Sequence, residues 1–235
     1  EGPDTERILM IPIRDEIKSH RTPLVNYALI LVNVGVFLYM LLSGPQMDRL
    51  VNTYAFFPYE LTSGLDLGDA RSILTSMFMH AGWMHLIGNM LYLLIFGDNV
   101  EDRLGHWGYL LFYLAGGFVA AFAHTLVNPG SQIPTVGASG AISAVLGAYL
   151  IFYPQSRVYT FVPLGFFLRL TVLPASLVLI LWFLLQLLSG VASIGATDMG
   201  GTAFWAHIGG FVFGVLLALI VKQRGEPVAT ERVWG

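Results

Sequence analysis

Long runs without a charged side chain alternate with short charged segments along the chain. The gaps between Asp, Glu, Lys and Arg define five such runs, at 22–47, 72–97, 104–156, 170–197 and 199–221. A helix needs about 20 mostly apolar residues to cross a bilayer core roughly 30 Å thick. As one helix, the third run would be about 80 Å long, so it must cross twice, with its turn at the Asn, Pro and Gly residues of 128–134. The pattern therefore predicts six membrane-spanning helices.

The overall composition agrees with a protein embedded in lipid. Hydrophobic residues make up 55% of the chain and charged residues 11%, whereas soluble globular proteins have roughly 25% charged residues. This balance excludes an ordinary water-soluble enzyme and a disordered chain. The net charge of -3 argues against a nucleic-acid partner, and the absence of cysteine removes disulfides, cysteine metal ligands and a cysteine nucleophile. We therefore expect an all-α integral membrane protein in contact with membrane lipid.

Lysine and arginine are distributed unequally between the two sides of a six-span arrangement. Arg49 and Arg71 fall on one side, and the other ten basic residues fall on the opposite side: Arg7, Arg14, Lys18, Arg21, Arg103, Arg157, Arg169, Lys222, Arg224 and Arg232. Basic residues are enriched in cytoplasmic loops. Both termini are therefore expected in the cytoplasm.

The ends of the apolar runs also define the expected domain organisation. We expect a cytoplasmic N-terminal segment, one six-span domain and a cytoplasmic tail, at 1–21, 22–222 and 223–235. The N-terminal segment lacks the apolar core of a secretory signal peptide. Residue 1 is Glu, so Met10 is a candidate natural start with a tag ahead of it.

Two of the segments between spans contain apolar residues. Residues 44–71 are expected to form a long outer loop that lies partly in the membrane interface. Residues 158–168 are apolar but are interrupted by Pro163 and Gly165. Because they are too short and too broken to cross a bilayer, they are expected to rest on the inner membrane surface.

Polar side chains are concentrated near the outer ends of three predicted spans. The second span carries His80, His85 and Asn89, the fourth opens with Gly-Ala-Ser-Gly at 137–140, and the sixth carries His207. All three spans enter the membrane from the outer face, so these groups lie at a similar depth, on the order of 10 Å below the surface. Polar groups are costly in lipid, so this cluster is a functional-site hypothesis.

The residue types in this cluster suit nucleophilic catalysis. A serine hydroxyl becomes an effective nucleophile when an adjacent base takes its proton, and His207 is a suitable base for Ser139. Free backbone N–H groups at a helix N-terminus, with His85 and Asn89 as further donors, would stabilise an oxyanion. No Asp or Glu occurs in the second, third, fourth or sixth predicted span. The sequence therefore predicts a Ser–His dyad without an acidic third member and without a metal or other cofactor.

Three separated motifs in this chain resemble the signature segments of rhomboid intramembrane serine proteases. They are His80-Ala-Gly-Trp-Met-His85-Leu-Ile-Gly-Asn89, Gly137-Ala-Ser139-Gly140 and Ala206-His207-Ile-Gly-Gly210-Phe-Val-Phe-Gly214. The resemblance implies a six-span rhomboid-like bundle of the minimal bacterial type in the cytoplasmic membrane. It implies Ser139 as nucleophile, His207 as general base, and an oxyanion hole formed by His85, Asn89 and the Ser139 backbone N–H. The implied substrates are single-span membrane proteins with small or helix-destabilising residues near the outer face.

The resemblance also assigns supporting roles and shows one departure. Glu101 and Arg103 resemble the structural Glu-x-Arg of the family on the cytoplasmic side, and the small residues Gly137, Gly140, Gly210 and Gly214 fit its turns and helix seam. Some bacterial relatives have a Tyr four residues after the serine that stacks on the catalytic His. Here that position is Ser143, which has no aromatic ring, so the resemblance identifies no residue that would stack on His207.

Two other functions would use the same polar groups, and a third would not need them. A transporter or channel would use His80, His85 and His207 as a proton or ion relay, but such proteins place ionisable groups near the midplane and often include carboxylates. A metal-dependent protease would use the same histidines, but His80 and His85 are five apart and no acidic base adjoins them. A non-proteolytic client-binding protein of the rhomboid fold would not require an intact Ser139 and His207.

Overall fold

The computed structural model describes residues 10–63, 66–164, 167–194 and 201–224. Eight α-helices lie within these ranges: α1 (Leu24–Leu42), α2 (Met47–Tyr54), α3 (Leu67–Ser76), α4 (Trp83–Leu104), α5 (His106–Val127), α6 (Ser139–Phe152), α7 (Ala175–Ala192) and α8 (Phe204–Arg224). Three strands accompany them: β1 (Ile11–Asp15), β2 (Arg157–Leu164) and β3 (Phe167–Pro174). The expected tag before Met10 and most of the expected C-terminal tail lie outside the described residues.

Each of the six predicted spans overlaps a helix, namely α1, α4, α5, α6, α7 or α8. Within the described residues, α1, α5, α7 and α8 are long and apolar enough to cross a membrane. The other two differ in composition or length: α4 carries charged residues in its last two turns, and α6 is apolar but has only 14 residues. The chain is thus mostly helical, with four helices that meet the length and hydropathy expected of a span.

Helix α6 occupies the centre of the bundle. Its ten consecutive residues 140–149 are all buried, most of them small, and it packs against α4, α5 and α8. Helices α1 and α7 lie at the periphery and expose several large apolar side chains. A helix that is apolar on all sides is expected at the centre of a membrane bundle, where small residues allow close helix approach.

Two glycines of α8 bring its backbone against the backbone of α6. A Cβ atom at Gly210 would overlap the carbonyl oxygen of Gly140, and one at Gly214 would overlap that of Ala144. From the opposite side, a Cβ at Gly147 of α6 would overlap the carbonyl oxygen of Phe211. The α6–α8 contact therefore requires residues without side chains, and it determines how closely the N-terminal ends of both helices approach each other.

The expectation of an all-α chain is wrong on one side of the bundle. Strands β1, β2 and β3 form an antiparallel sheet in that order, with β2 paired to β1 near the N-terminus and to β3 in a hairpin. The described residues of the segment expected to rest on the membrane surface, 158–164 and 167–168, belong to β2 and β3. The Val, Tyr, Thr and Phe residues of this segment favour strands, and the pairing with β1 satisfies backbone groups from a distant part of the chain.

The second charge-free run, 72–97, is not one helix. Helix α3 ends at Ser76 and α4 begins at Trp83, so His80 lies in the link between them rather than in a span. Ser76 donates its hydroxyl hydrogen to the carbonyl oxygen of Ile73, and Gly82 is extended just before α4. The expected outer loop, 44–71, likewise contains α2, two short 3-10 turns and the start of α3.

Buried carboxylates fix the start of α1 and strand β1 to the C-terminal end of α4. Glu101 is 1% exposed and accepts hydrogen bonds from the backbone N–H groups of Val25 and Asn26 at 3.0 and 2.7 Å. The Arg103 guanidinium lies 5.6 Å from the centre of the Phe152 ring. In β1, Asp15 accepts a hydrogen bond from Asn99 Nδ2 of α4 at 2.8 Å, and burial raises the pKa of Asp15 to about 7. These contacts hold the sheet and α1 against the bundle.

Candidate active site

Ser139 is the first residue of α6, directly after a sharp change in chain direction. Gly137 has a φ of 127°, in the region that glycine adopts without the penalty of a Cβ atom. Its backbone N–H donates to the carbonyl oxygen of Ser76 at 2.9 Å, and Thr135 pairs with Phe56 of the preceding loop. The loop and the end of α3 thus hold the turn that presents Ser139.

The serine hydroxyl contacts the imidazole expected from the sequence. The Ser139 Oγ atom lies 2.7 Å from Nε2 of His207, which is in the first turn of α8. His207 is 8% exposed and Ser139 is partly buried. A nucleophile and its base need a hydrogen-bond distance of about 2.6–3.2 Å. The two residues are 68 positions apart in sequence, and the close α6–α8 contact brings them together.

His85 and Asn89 lie on α4 beside the turn that precedes Ser139. A Cβ atom at Gly137 would lie 2.7 Å from His85 Nε2 and 3.7 Å from Asn89 Nδ2. The side chain of His80 is fully buried, and its Nε2 atom lies 2.9 Å from Asn89 Nδ2. The structure therefore gathers two candidate oxyanion donors at this turn, and His80 contacts one of them.

Two residues on α7 contact His207, and sequence reasoning gave neither a role in its support. Gln186 Oε1 lies 2.7 Å from His207 Nδ1. The ring of Trp182 stacks on the imidazole, with centroids 6.0 Å apart and an angle of 29° between the planes. The imidazole thus has a stacked ring, but α7 supplies it and position 143 does not. The glutamine in this largely apolar helix could have indicated a functional residue from the sequence, because polar groups in spans are costly.

Among the residues that the structure describes, no carboxylate contacts Ser139 or His207. Within the described residues there is no group of three or more His, Asp or Glu side chains arranged to hold a metal ion. The rings of His80 and His85 meet edge to face with centroids 5.0 Å apart, whereas His207 contacts Ser139 and Gln186 instead. The arrangement can transfer a proton from a hydroxyl to an imidazole, and it places His85 and Asn89 beside the turn that precedes this hydroxyl.

The family of the chain follows from comparison with known proteins. A family model described as "Rhomboid domain" matches residues 68–224, more than half of the chain and the whole of the site described above. The chain belongs to the rhomboid family. This membership and the apolar helices make it an integral membrane protein.

Rhomboid proteins from several organisms are similar to this chain. Rhomboid protein 1, mitochondrial, of Saccharomyces cerevisiae is 29% identical over 232 residues, covering 95% of this chain and 60% of that protein. Rhomboid protease GluP of Bacillus subtilis is 29% identical over 153 residues, covering 62% of this chain and 29% of that protein. Presenilin-associated rhomboid-like protein, mitochondrial, of Bos taurus is 27% identical over 215 residues, covering 87% of this chain and 51% of that protein. The chain spans less than two thirds of the length of these three relatives.

Proposed function

We propose that this rhomboid-family chain is an intramembrane serine endopeptidase with a Ser139–His207 dyad. The observation that carries the proposal is the distance of 2.7 Å between Ser139 Oγ and His207 Nε2 in a largely buried setting. The name of the similar Bacillus subtilis protein, a rhomboid protease, supports the same activity. The decisive experiment is substrate cleavage in liposomes with and without Ser139.

The proposed reaction proceeds in two stages. His207 Nε2 takes the proton of the Ser139 hydroxyl while Oγ attacks the scissile carbonyl carbon, forming a tetrahedral intermediate. Collapse of this intermediate breaks the C–N bond, and the new imidazolium gives its proton to the leaving amine. Water, deprotonated by His207, then attacks the acyl carbon; the bond from this carbon to Ser139 Oγ breaks, and the imidazolium returns its proton to Oγ. No carboxylate and no cofactor is required for either stage.

The proposed oxyanion hole consists of the Ser139 backbone N–H and the side chains of His85 and Asn89. Ser139 opens α6, and the first N–H groups of a helix have no partners within that helix. Gly137 permits His85 to approach the backbone of the turn, since a side chain there would collide with the imidazole. These donors surround the position where negative charge develops on the carbonyl oxygen.

Replacing Asn89 with alanine is expected to lower kcat by about 10- to 1000-fold, with a small effect on KM, because one oxyanion donor is lost. The measurement is steady-state cleavage of a membrane-embedded substrate, normalised to the concentration of active sites. Asn52→Ala, at an exposed position on α2, is the matched control and should retain full activity. A kcat within about twofold of the original for Asn89→Ala would remove Asn89 from the oxyanion hole.

The proposed substrates are single-span membrane proteins that carry small or helix-destabilising residues near the outer face. A peptide bond within a helix is shielded by its neighbours and its carbonyl is hydrogen-bonded. The substrate must therefore unwind locally before Ser139 can attack, and such residues lower the cost of unwinding. Membrane lipid is the second expected partner, in contact with the exposed apolar faces of α1 and α7.

We propose that α1 and α4 to α8 all cross the membrane, within a catalytic domain at 22–222, and that both termini are cytoplasmic. The unequal distribution of lysine and arginine supports this orientation. On this basis Glu101 and Arg103 support the bundle from the cytoplasmic side. The proposed location is the bacterial cytoplasmic membrane, although the yeast and bovine relatives are mitochondrial by name.

Single cysteines test this orientation cleanly, because the chain contains none. In intact spheroplasts, a membrane-impermeant maleimide should label Gln132→Cys, and it should label Lys18→Cys only after permeabilisation. Both positions are exposed, one between α5 and α6 and the other between β1 and α1. The reverse labelling pattern, or equal labelling from one side, would contradict the six-span orientation.

A further inference from the structure

Gln186 lies at the end of a continuous chain of hydrogen-bonding groups. Its Oε1 atom is 2.7 Å from His207 Nδ1, and the other ring nitrogen, Nε2, is 2.7 Å from Ser139 Oγ. The three side chains come from α7, α8 and α6. Gln186 is partly buried although α7 is a peripheral helix made mostly of apolar residues. Its polar end is therefore directed into the bundle and toward the imidazole.

Which nitrogen of the imidazole carries the hydrogen determines whether His207 donates or accepts in its contacts with Ser139 and Gln186. If His207 Nε2 accepts the serine proton, it must carry no hydrogen, so the hydrogen of the neutral ring is on Nδ1. That Nδ1–H group is buried and needs an acceptor, because an unpaired buried donor is costly. An amide oxygen accepts hydrogen bonds, and Gln186 Oε1 is at the required distance. After proton transfer both ring nitrogens are donors, and Nδ1–H keeps the same acceptor.

We propose that Gln186 is the positioning residue of His207, whose amide oxygen selects the tautomer in which Nε2 faces Ser139 as an acceptor. This inference rests on the proposed protease activity and adds an uncharged third member to the Ser–His pair. Gln186 exchanges no proton with the ring. It restricts the ring to one orientation and one protonation pattern.

An amide suits this position better than the carboxylate of soluble serine proteases. A charged side chain within a membrane is costly, and the second, third, fourth and sixth predicted spans contain no Asp or Glu. The glutamine supplies an acceptor with the same reach as glutamate but without a net charge. It can therefore select the Nδ1–H tautomer of His207 without placing an ionised side chain in the membrane, where burial of a charge is costly.

Trp182 complements Gln186 from the same helix. The two residues are four apart, so their side chains lie on one face of α7, a turn apart. Trp182 covers the face of the imidazole, and Gln186 contacts its edge at Nδ1. Stacking restricts the plane of the ring but cannot distinguish its two nitrogens, whereas the hydrogen bond does. Helix α7 therefore supplies both constraints on the proposed base.

The test compares two substitutions that differ in one property. Gln186→Met preserves the length and flexibility of the side chain but removes the acceptor, whereas Gln186→Glu retains an acceptor oxygen. We expect Gln186→Met to lower kcat by about 10- to 100-fold with KM changed less than twofold, and Gln186→Glu to recover most of that loss. Leu185→Met, at the adjacent exposed position, is the control for a methionine in α7 and should match the original chain.

A spectroscopic measurement separates positioning from a general packing effect. In protein labelled with ¹⁵N-histidine, the ¹⁵N shifts of His207, assigned by comparison with His207→Ala, report which nitrogen carries the hydrogen. We expect the Nδ1–H tautomer in the original chain and a mixture of tautomers in Gln186→Met. An unchanged tautomer in Gln186→Met, or a kcat equal to or above that of the original chain, would overturn the inference.

The failure of this inference is distinguishable from failure of the proposed activity. If Ser139→Ala abolishes cleavage and Gln186→Met does not lower kcat, Gln186 has no positioning role and the protease proposal stands. If Ser139→Ala retains cleavage, the protease proposal itself fails, and the role of Gln186 fails with it.

Discussion

Replacing Ser139 with alanine is expected to abolish both substrate cleavage and covalent labelling by a fluorophosphonate probe. The probe forms a bond between phosphorus and an activated serine oxygen, with loss of fluoride, so it reports nucleophile activation without requiring the natural substrate. In the folded chain, Ser139 Oγ lies 2.7 Å from a buried imidazole, the geometry of an activated serine. The measurement is in-gel fluorescence of protein in liposomes, together with cleavage of a single-span reporter.

Replacing His207 with alanine should have an effect of the same size, because nucleophile and base act as one unit. The double variant should lose little more than either single variant, since once the pair is broken its second member has no remaining function. Ser176→Ala, at the opposite end of the bundle in the first turn of α7, is the matched control and should be labelled normally.

Two outcomes would contradict the proposed protease. Full labelling or cleavage by Ser139→Ala would show that another residue is the nucleophile. An absence of labelling in the original chain, shown to be folded by its thermal transition, would favour a client-binding protein of the same fold or a transporter that uses the histidines as a relay.

Replacing Gly214 with alanine is expected to destabilise the bundle and to inactivate the site from two helical turns away. An added Cβ would lie 2.7 Å from the carbonyl carbon and 2.8 Å from the Cα atom of Ala144. These are backbone atoms of the central helix and cannot rotate away. Overpacking of this kind costs about 1–3 kcal/mol, and a misplacement of 1 Å at a catalytic group can cost about 100-fold in rate.

The measurements for Gly214→Ala are the thermal midpoint followed by tryptophan fluorescence and the rate of fluorophosphonate labelling. Gly35→Ala is the matched control, because Gly35 lies in α1 and an added Cβ there would contact nothing within 4 Å. Alanine is favoured over glycine in a helix by about 1 kcal/mol, so this control should be as stable as the original chain or more stable. An unchanged midpoint and labelling rate for Gly214→Ala would contradict the close α6–α8 contact.

The long apolar helices and the serine–histidine pair were accessible from the sequence. Runs without charge mark the helices because charged groups are excluded from lipid. The same exclusion makes Ser139, His207, His85 and Asn89 conspicuous, since each is a polar group in an apolar setting. The structure places all four at one end of the bundle, with Ser139 and His207 in hydrogen-bond contact.

The sheet and the break between α3 and α4 could not be predicted from the sequence pattern. Strand β2 pairs with β1, about 150 residues earlier, and a pairing over that distance leaves no local periodicity to detect. The run 72–97 lacks charges throughout, so a count of charges cannot detect a helix that ends at Ser76 and another that begins at Trp83. Charge counts locate apolar segments but not the turns within them.

The sequence by itself determined which chemical groups this protein holds within the membrane. Near the outer ends of the helices these groups include the hydroxyl of Ser139, the imidazoles of His80, His85 and His207, and the amides of Asn89 and Gln186. Each is costly to bury in an apolar setting. Only the tertiary structure decided which of these groups touch. Gln186 and His207 are 21 positions apart on different helices, and their contact depends on how α7 and α8 are rotated and packed. Packing of whole helix faces determines that rotation, so no local pattern of residues specifies it.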